Sequence, residues 1–228
     1  MFFDAGETLV HPHPSFPDLL AEVLRREGHA VTVEAVRERG HVVFERFQRA
    51  ADANELWTTS PERSRAFWHG VYEAFLEDLG IRGDDGLVER IYAVFTDRAN
   101  YRLFDDVPPV LERLGSAGLI LGVVSNFEAW LEGLLEELGV LERFAVRAVS
   151  GIEGIEKPDP RLFLLATERA GVPPERSVYV GDNPDFDVGP AAAVGMHPVL
   201  IDRRGRFPGF AEAVRITSMA ELPEVLGL

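Results

Sequence analysis

The sequence predicts an α/β protein built on a doubly wound parallel sheet, with an all-helical domain inserted after the first strand. Three observations lead there. From about Ser15 to Asn100 the apolar residues recur at helical spacing, with no convincing strand among them. From about Val107 onward, short unbroken apolar runs alternate with helical stretches, the pattern of a parallel sheet covered on both faces. Ahead of both, Met1-Phe2-Phe3 reads as one more buried strand, separated from its fellows by the helical block.

Each element carries its own local signal. Thr32 is placed to cap a helix bearing Val36, Val43, Phe44 and Phe47. Ser60-Pro61-Glu62 combines a cap, a proline at the first helical position and an acid in the first turn. Behind it Trp68, Val71, Tyr72, Phe75, Leu76 and Leu79 form an apolar stripe that Gly80 ends. Leu119 to Val124, Ser177 to Val180 and Pro198 to Ile201 are the strand-length runs, and helices are expected near 127–139, 160–171 and 187–195. The expected division is a core of residues 1–14 and 101–228 with a helical domain over 15–100. In such a Rossmann-like core the ligand site lies beyond the carboxyl ends of the strands, where the strand order switches. Asp4, Ser125-Asn126 and Gly181-Asp182 occupy those ends, and Lys157 opens a nearby helix.

Composition narrows the partners. A net charge of −15 disfavours nucleic acid and anionic membranes, which call for a basic face. The absence of cysteine removes disulfides, thiolate metal sites and thiol nucleophiles. No apolar run is long enough to span a bilayer and no basic-then-apolar leader opens the chain, so a cytoplasmic protein, monomeric or weakly dimeric, is the default expectation. Of the 23 basic residues only Lys157 is lysine, which singles it out, because a compact ammonium does not substitute for a planar guanidinium.

Four short stretches resemble the motifs of the haloacid dehalogenase superfamily, in family order. They are Asp4-Ala5-Gly6-Glu7-Thr8-Leu9, Val123-Val124-Ser125-Asn126, Glu156-Lys157-Pro158-Asp159-Pro160, and Gly181-Asp182 followed five residues on by Asp187. The helical block sits where this family carries a cap domain, and Phe67-Trp68 leans toward Reg-2-like proteins. The resemblance implies a hydrolase of small phosphorylated metabolites. In it Asp4 is the nucleophile, Mg²⁺ is held by Asp4, the Gly6 carbonyl and Asp182, and Asp187 steadies that shell from outside. Ser125, Asn126 and Lys157 are the implied substrate contacts, with Lys157 and the ion offsetting repulsion between two anions.

One position departs from the pattern. Phosphatases of the superfamily carry a second aspartate two residues after the nucleophile, as general acid and base, and here that position is Gly6. Such catalysis is typically worth on the order of 10²–10⁴-fold. Glu7 is the adjacent surrogate; His11 and His13 are further candidates. The 2-haloacid dehalogenases of the same superfamily also lack this aspartate, which leaves a metal-independent dehalogenase as one alternative and a weakly active phosphate-binding regulatory protein as another. Arg63, Arg65, Trp68 and His69 are expected cap contacts, with Trp68 equally at home in the apolar stripe.

Overall fold

The computed structural model describes every residue except Asn54 and Asp85. The chain divides into two compact units, Met1–Val10 with Leu103–Leu228, and His11–Arg102.

The first unit holds a six-stranded, all-parallel sheet. Its strands are β1 (Phe2–Phe3), β4 (Gly122–Ser125), β5 (Val146–Val149), β6 (Val178–Gly181), β7 (His197–Ile201) and β8 (Val214–Ile216), in the order β5-β4-β1-β6-β7-β8. Two further short strands, β2 (Val10–Pro12) and β3 (Tyr101–Leu103), pair with each other. The chain builds the sheet outward from β1 to one edge, then returns to the centre and builds to the other. That reversal is the topological switch point, and it falls on β4, β1 and β6.

Strand β1 is only two residues long, yet both are fully buried, because successive side chains of a strand point to opposite faces. Phe2 joins Val124, Val146, Phe163, Tyr179 and Ala191 on one face. Phe3 meets Phe144 edge-on at 6.4 Å between ring centroids. The helices of this unit among the described residues are α6 (Val107–Ser116), α7 (Leu131–Glu137), α8 (Ser150–Glu153), α9 (Pro160–Ala170), α10 (Gly189–Ala193) and α11 (Leu222–Val225), following α1 to α5 of the second unit.

The second unit contains α1 (Phe16–Arg26), α2 (Val33–Arg37), α3 (His41–Asp52), α4 (Pro61–Asp78) and α5 (Leu87–Thr96), and no strand lies between 15 and 100 among the described residues. Its core is aliphatic and aromatic, with Leu20, Leu24, Val71, Tyr72, Phe75 and Ile91 at the centre. Ser60 accepts the Arg63 N–H as its expected cap, and Gly80, at φ +69°, adopts the left-handed conformation that closes α4. No helix of the described residues is long and apolar enough to cross a membrane.

Several element boundaries differ from the sequence reading. Thr32 caps only the short α2; the chain breaks at Glu38–Gly40 and α3 starts afresh, leaving Phe44 54% exposed. Of the apolar run 119–124, only Gly122 onward is strand, because the Leu119 N–H closes the end of α6 on the Leu114 carbonyl after the left-handed Gly118. The helix expected over 127–139 begins at Leu131 and ends at Glu137. The one expected at 187–195 is a π-helical turn, Pro184–Val188, followed by α10. Strands β5 and β8, the two sheet edges, were not anticipated: Arg147 and Arg215 interrupt their apolar runs.

Because Phe2 is the sole contribution of β1 to its face of the core, Phe2→Ala is expected to cost about 3–5 kcal/mol of stability. Chemical denaturation measures this, and a loss below about 1 kcal/mol would contradict the packing described.

Candidate active site

The three strands at the switch point end in polar residues that face one another. Asp4 follows β1 directly, and its N–H donates to the Val180 carbonyl at 2.8 Å, extending the β1–β6 pairing by one residue. Ser125 is the last residue of β4, and Gly181-Asp182 close β6. Lys157 arrives from the loop between α8 and α9. All lie in the first unit.

Asp4 and Lys157 are 7% and 3% exposed. The Lys157 ammonium donates to Asp4 Oδ1 at 2.7 Å, to Asp187 Oδ1 at 2.5 Å and to the Tyr179 hydroxyl at 3.1 Å, using its three protons. Ser125 Oγ donates to the same Asp4 oxygen at 2.8 Å. Asp4 Oδ2 carries neither of these bonds. Asn126 acts one step back: its amide donates to the Lys157 carbonyl at 2.8 Å and accepts the Lys157 N–H at 2.6 Å. Its side chain is thus committed to the lysine's backbone, holding the loop that presents the ammonium.

Asp187 is carried to the cluster by the π-helical turn. Asn183 starts that turn by accepting the N–H groups of Asp185 and Phe186 and by donating its own N–H to Asp187 Oδ2. Gly181 is required for this approach, since a Cβ there would stand 2.4 Å from Asp187 Cγ. Asp185 stays exposed.

Asp4, Asp182 and Asp187 each present an oxygen within 4.8 Å of the others. Burial raises the pKa of Asp4 against the opposing pull of Lys157, and the neighbouring Asp187 raises it further. For Lys157, burial works against the charge but the two carboxylates outweigh it and hold the pKa above the usual lysine value. Asp182 is pushed up to about 7, first by burial and then by Asp187 and Asp4, with Arg206 pulling the other way. Three carboxylates thus face two cations, Lys157 and Arg206. An excess of hard, anionic oxygen donors at one end of a parallel sheet suits Mg²⁺, so the residues present fit that ion.

The remaining predicted residues are placed as follows. Gly6 lies in the turn after Asp4, and a Cβ built on it meets nothing within 4 Å. Glu7 follows at φ +54°, its carboxylate paired with Arg204 at 2.6 Å. His11 and His13 lie edge to face at 5.9 Å in the second unit. In that unit Arg65 and His69 both turn to Glu89, at 2.6 and 3.0 Å, Arg63 is exposed, and Trp68 packs with Phe47, Phe67 and Tyr72.

Two features escaped the sequence reading. Tyr179 is fully buried, with its hydroxyl 2.9 Å from both the Val124 carbonyl and Asp187 Oδ1; the signal was a hydroxyl in an otherwise aliphatic central strand, which must find a partner. The loop after β7, Asp202-Arg203-Arg204-Gly205-Arg206, reaches both the nucleophile turn and Asp182. Its signal was three arginines at the carboxyl end of a strand.

The family model for haloacid dehalogenase-like hydrolases matches residues 1–195. The chain is 30% identical over 242 residues to phosphoserine phosphatase of Thermus thermophilus, covering 99% of this chain and 96% of that relative. It is 33% identical over 144 residues to haloacid dehalogenase-like hydrolase domain-containing protein 3 of Danio rerio, covering 62% of this chain and only 60% of that relative's length. Among solved structures, a phosphatase from Thermococcus onnurineus aligns with a TM-score of 0.64 at 26% identity, covering 99% of this chain and 96% of that one. A 2-haloacid dehalogenase from Pseudomonas syringae aligns with a TM-score of 0.60 at 29% identity, with the same coverage.

The raised Asp182 carboxyl has a consequence for stability. Between about pH 4 and pH 7 the folded chain keeps a proton that the unfolded chain has released, so this group's contribution favours folding at low pH and is lost as pH rises through about 7. In EDTA, the wild type is expected to lose more stability between about pH 5 and pH 8 than Asp182→Asn, by on the order of a few kcal/mol at most. Denaturation midpoints at the two pH values test this; equal slopes in the two proteins would refute it.

Proposed function

The chain belongs to the haloacid dehalogenase-like hydrolases, and from that premise we propose that it is a Mg²⁺-dependent hydrolase of small phosphomonoesters acting through an aspartyl-phosphate on Asp4. The observation that carries this reading is Asp182 beside Asp4 in a cluster of three carboxylates within 4.8 Å. A dehalogenase that needs no metal gains nothing from that extra carboxylate, whose own pKa is raised by burial first and then by Asp187 and Asp4.

Each residue then has a task. Lys157 and Ser125 both donate to Asp4 Oδ1, fixing the carboxylate plane and leaving Oδ2 to attack phosphorus. The P–O bond to the leaving group breaks as the bond to Oδ2 forms, the departing alkoxide taking its proton from water, and a second water later cleaves the acyl phosphate to restore Asp4 and release phosphate. Lys157 neutralises charge at the nucleophile throughout, because Asp187 and Tyr179 hold it in place. Asn126 keeps the lysine loop docked, and the Ser125 hydroxyl, which donates to Asp4, is assigned a second role as donor to an incoming phosphoryl oxygen. Asp4, Asp182 and the Gly6 carbonyl, with Asp187 behind them, would hold Mg²⁺, which would supply Lewis acidity toward the phosphoryl group. The helical unit is assigned the role of a cap that selects the substrate.

Gly6 favours a second reading. Without a carboxyl at this position the usual acid for a leaving alcohol is missing, and the surrogate Glu7 is engaged by Arg204. A 2-haloacid dehalogenase expels halide and has no need of such an acid, and a protein of that activity is 29% identical to this chain.

A panel of phosphomonoesters and 2-haloacids, each with and without Mg²⁺, separates the two. The expected result is phosphate release that requires Mg²⁺ and is lost in Asp4→Asn. Halide release without metal would overturn the phosphatase reading, and phosphate binding without turnover would replace catalysis with a regulatory role. Gly6→Asp, for which the structure has room, is expected to raise phosphatase turnover by about 10²-fold. An unchanged rate would mean that another group, Glu7 first, already supplies the proton.

A further inference from the structure

The loop after β7 sends three arginines to the site, and they are not alike. Arg203 is only 11% exposed; it binds Asp106 with two bonds of 2.8 and 2.9 Å, donates to the Thr8 carbonyl at 2.9 Å and lies 3.8 Å over the Phe104 ring. Asp106 in turn accepts from the Ser218 hydroxyl and the Met219 N–H. This is a fixed structural bond between the loop and the nucleophile turn. Arg204 pairs with Glu7 and has no contact with the carboxylate cluster.

Arg206 is different in both exposure and partner. Its side chain is 47% exposed, and it makes one bond of 2.6 Å to Asp182 Oδ2 and a longer one of 3.3 Å to the Asp182 carbonyl. Its backbone is anchored independently, the N–H donating to the buried Asp202 at 2.7 Å, so the guanidinium can leave without loosening the loop. The arginine end of the pair is half-exposed and meets the carboxylate through a single bond, an arrangement of modest net stability that can exchange. Asp182 is also the carboxylate that the proposed metal needs, and a guanidinium and a divalent ion compete for its charge.

We propose that Arg206 is the resident counter-ion of Asp182, which a divalent cation must displace, so that this arginine sets the metal affinity of the site. The inference rests on the metal-dependent reading above. It places a positioning residue in a loop that carries none of the four motifs, and it gives Arg206 a function through Asp182, not through substrate.

Calorimetric titration of Mg²⁺ into the full chain, freed of metal with EDTA, tests it without reference to turnover. Arg206→Gln is expected to bind Mg²⁺ about fivefold more tightly than the wild type. Arg204→Gln, which removes the same charge from the same loop but no contact to Asp182, is the control and is expected to change the affinity by less than about twofold. Unchanged or weaker binding by Arg206→Gln would overturn the proposal, as would equal tightening by both variants, which would make the effect one of general charge. Absence of Mg²⁺ binding in the wild type and in Arg206→Gln alike would bring down the metal-dependent function itself, and this inference with it. Binding that is present and equal in the two removes only the inference.

Discussion

The site depends on one buried ammonium. Lys157 is almost wholly out of water, and an unpaired charge there would be prohibitively costly. It is tolerable because its three protons go to Asp4, Asp187 and Tyr179 at hydrogen-bond distance. The dependence runs in both directions. Asp4 and Asp187 could not share so small a volume without a cation between them, and the rise that burial imposes on the Asp4 pKa is opposed there by Lys157. Arginine would not serve, since a planar fork cannot sit at the junction of three converging oxygens as a point charge can. A chain that uses arginine at every other basic position keeps lysine at this one.

The fold exists to deliver that junction. Parallel strands end at the same rim, and the reversal of strand order at β1 marks the place where doubly wound sheets bind their ligands. Asp4, Ser125 and Asp182 come from three adjacent strands, so their spacing is set by the sheet's own hydrogen bonding and not by loops. The fourth member, Lys157, comes from a loop, and Asn126 compensates by binding that loop's backbone in both directions. The fifth, Asp187, is swung inward by a π-helical turn, a geometry found frequently at functional sites, and the bare backbone of Gly181 admits it.

What could be read from the sequence follows from range. Asp4, Ser125 and Asp182 were legible because strand ends are marked by the passage from apolar run to polar residue, and Lys157 because it was unique. Tyr179 and the arginine loop were not, because their roles come from tertiary contacts: a hydroxyl inside an aliphatic strand, and side chains reaching across more than a hundred and ninety residues of sequence to Glu7 and Thr8. Edge strands β5 and β8 were missed for the reason central ones were found. An edge tolerates a polar residue such as Arg147, which pairs with Glu132, and so loses the uninterrupted apolar run. In the run 119–124 an apolar helix closure and a buried strand look alike in sequence, and only the hydrogen bonds separate them.

Gly6 is the residue whose identity the fold does not explain. Glycine is usually retained where φ is positive or where a backbone must pass close by. Neither holds here: Gly6 is not left-handed, and a Cβ on it would meet no atom within 4 Å. The strained position is the next one, where Glu7 takes φ +54° without being glycine, at a cost on the order of 1–2 kcal/mol. Glycine and side chain thus stand in the reverse of the order that conformational economy would choose. Arg204 helps to hold Glu7 in that conformation, as a partner that only the folded chain supplies. A Cβ at position 6 has room and φ there is not positive, so neither sterics at that atom nor backbone geometry accounts for the glycine. Around it Asp4, Lys157 and the acidic cluster stand together, and position 6 brings them no further carboxyl.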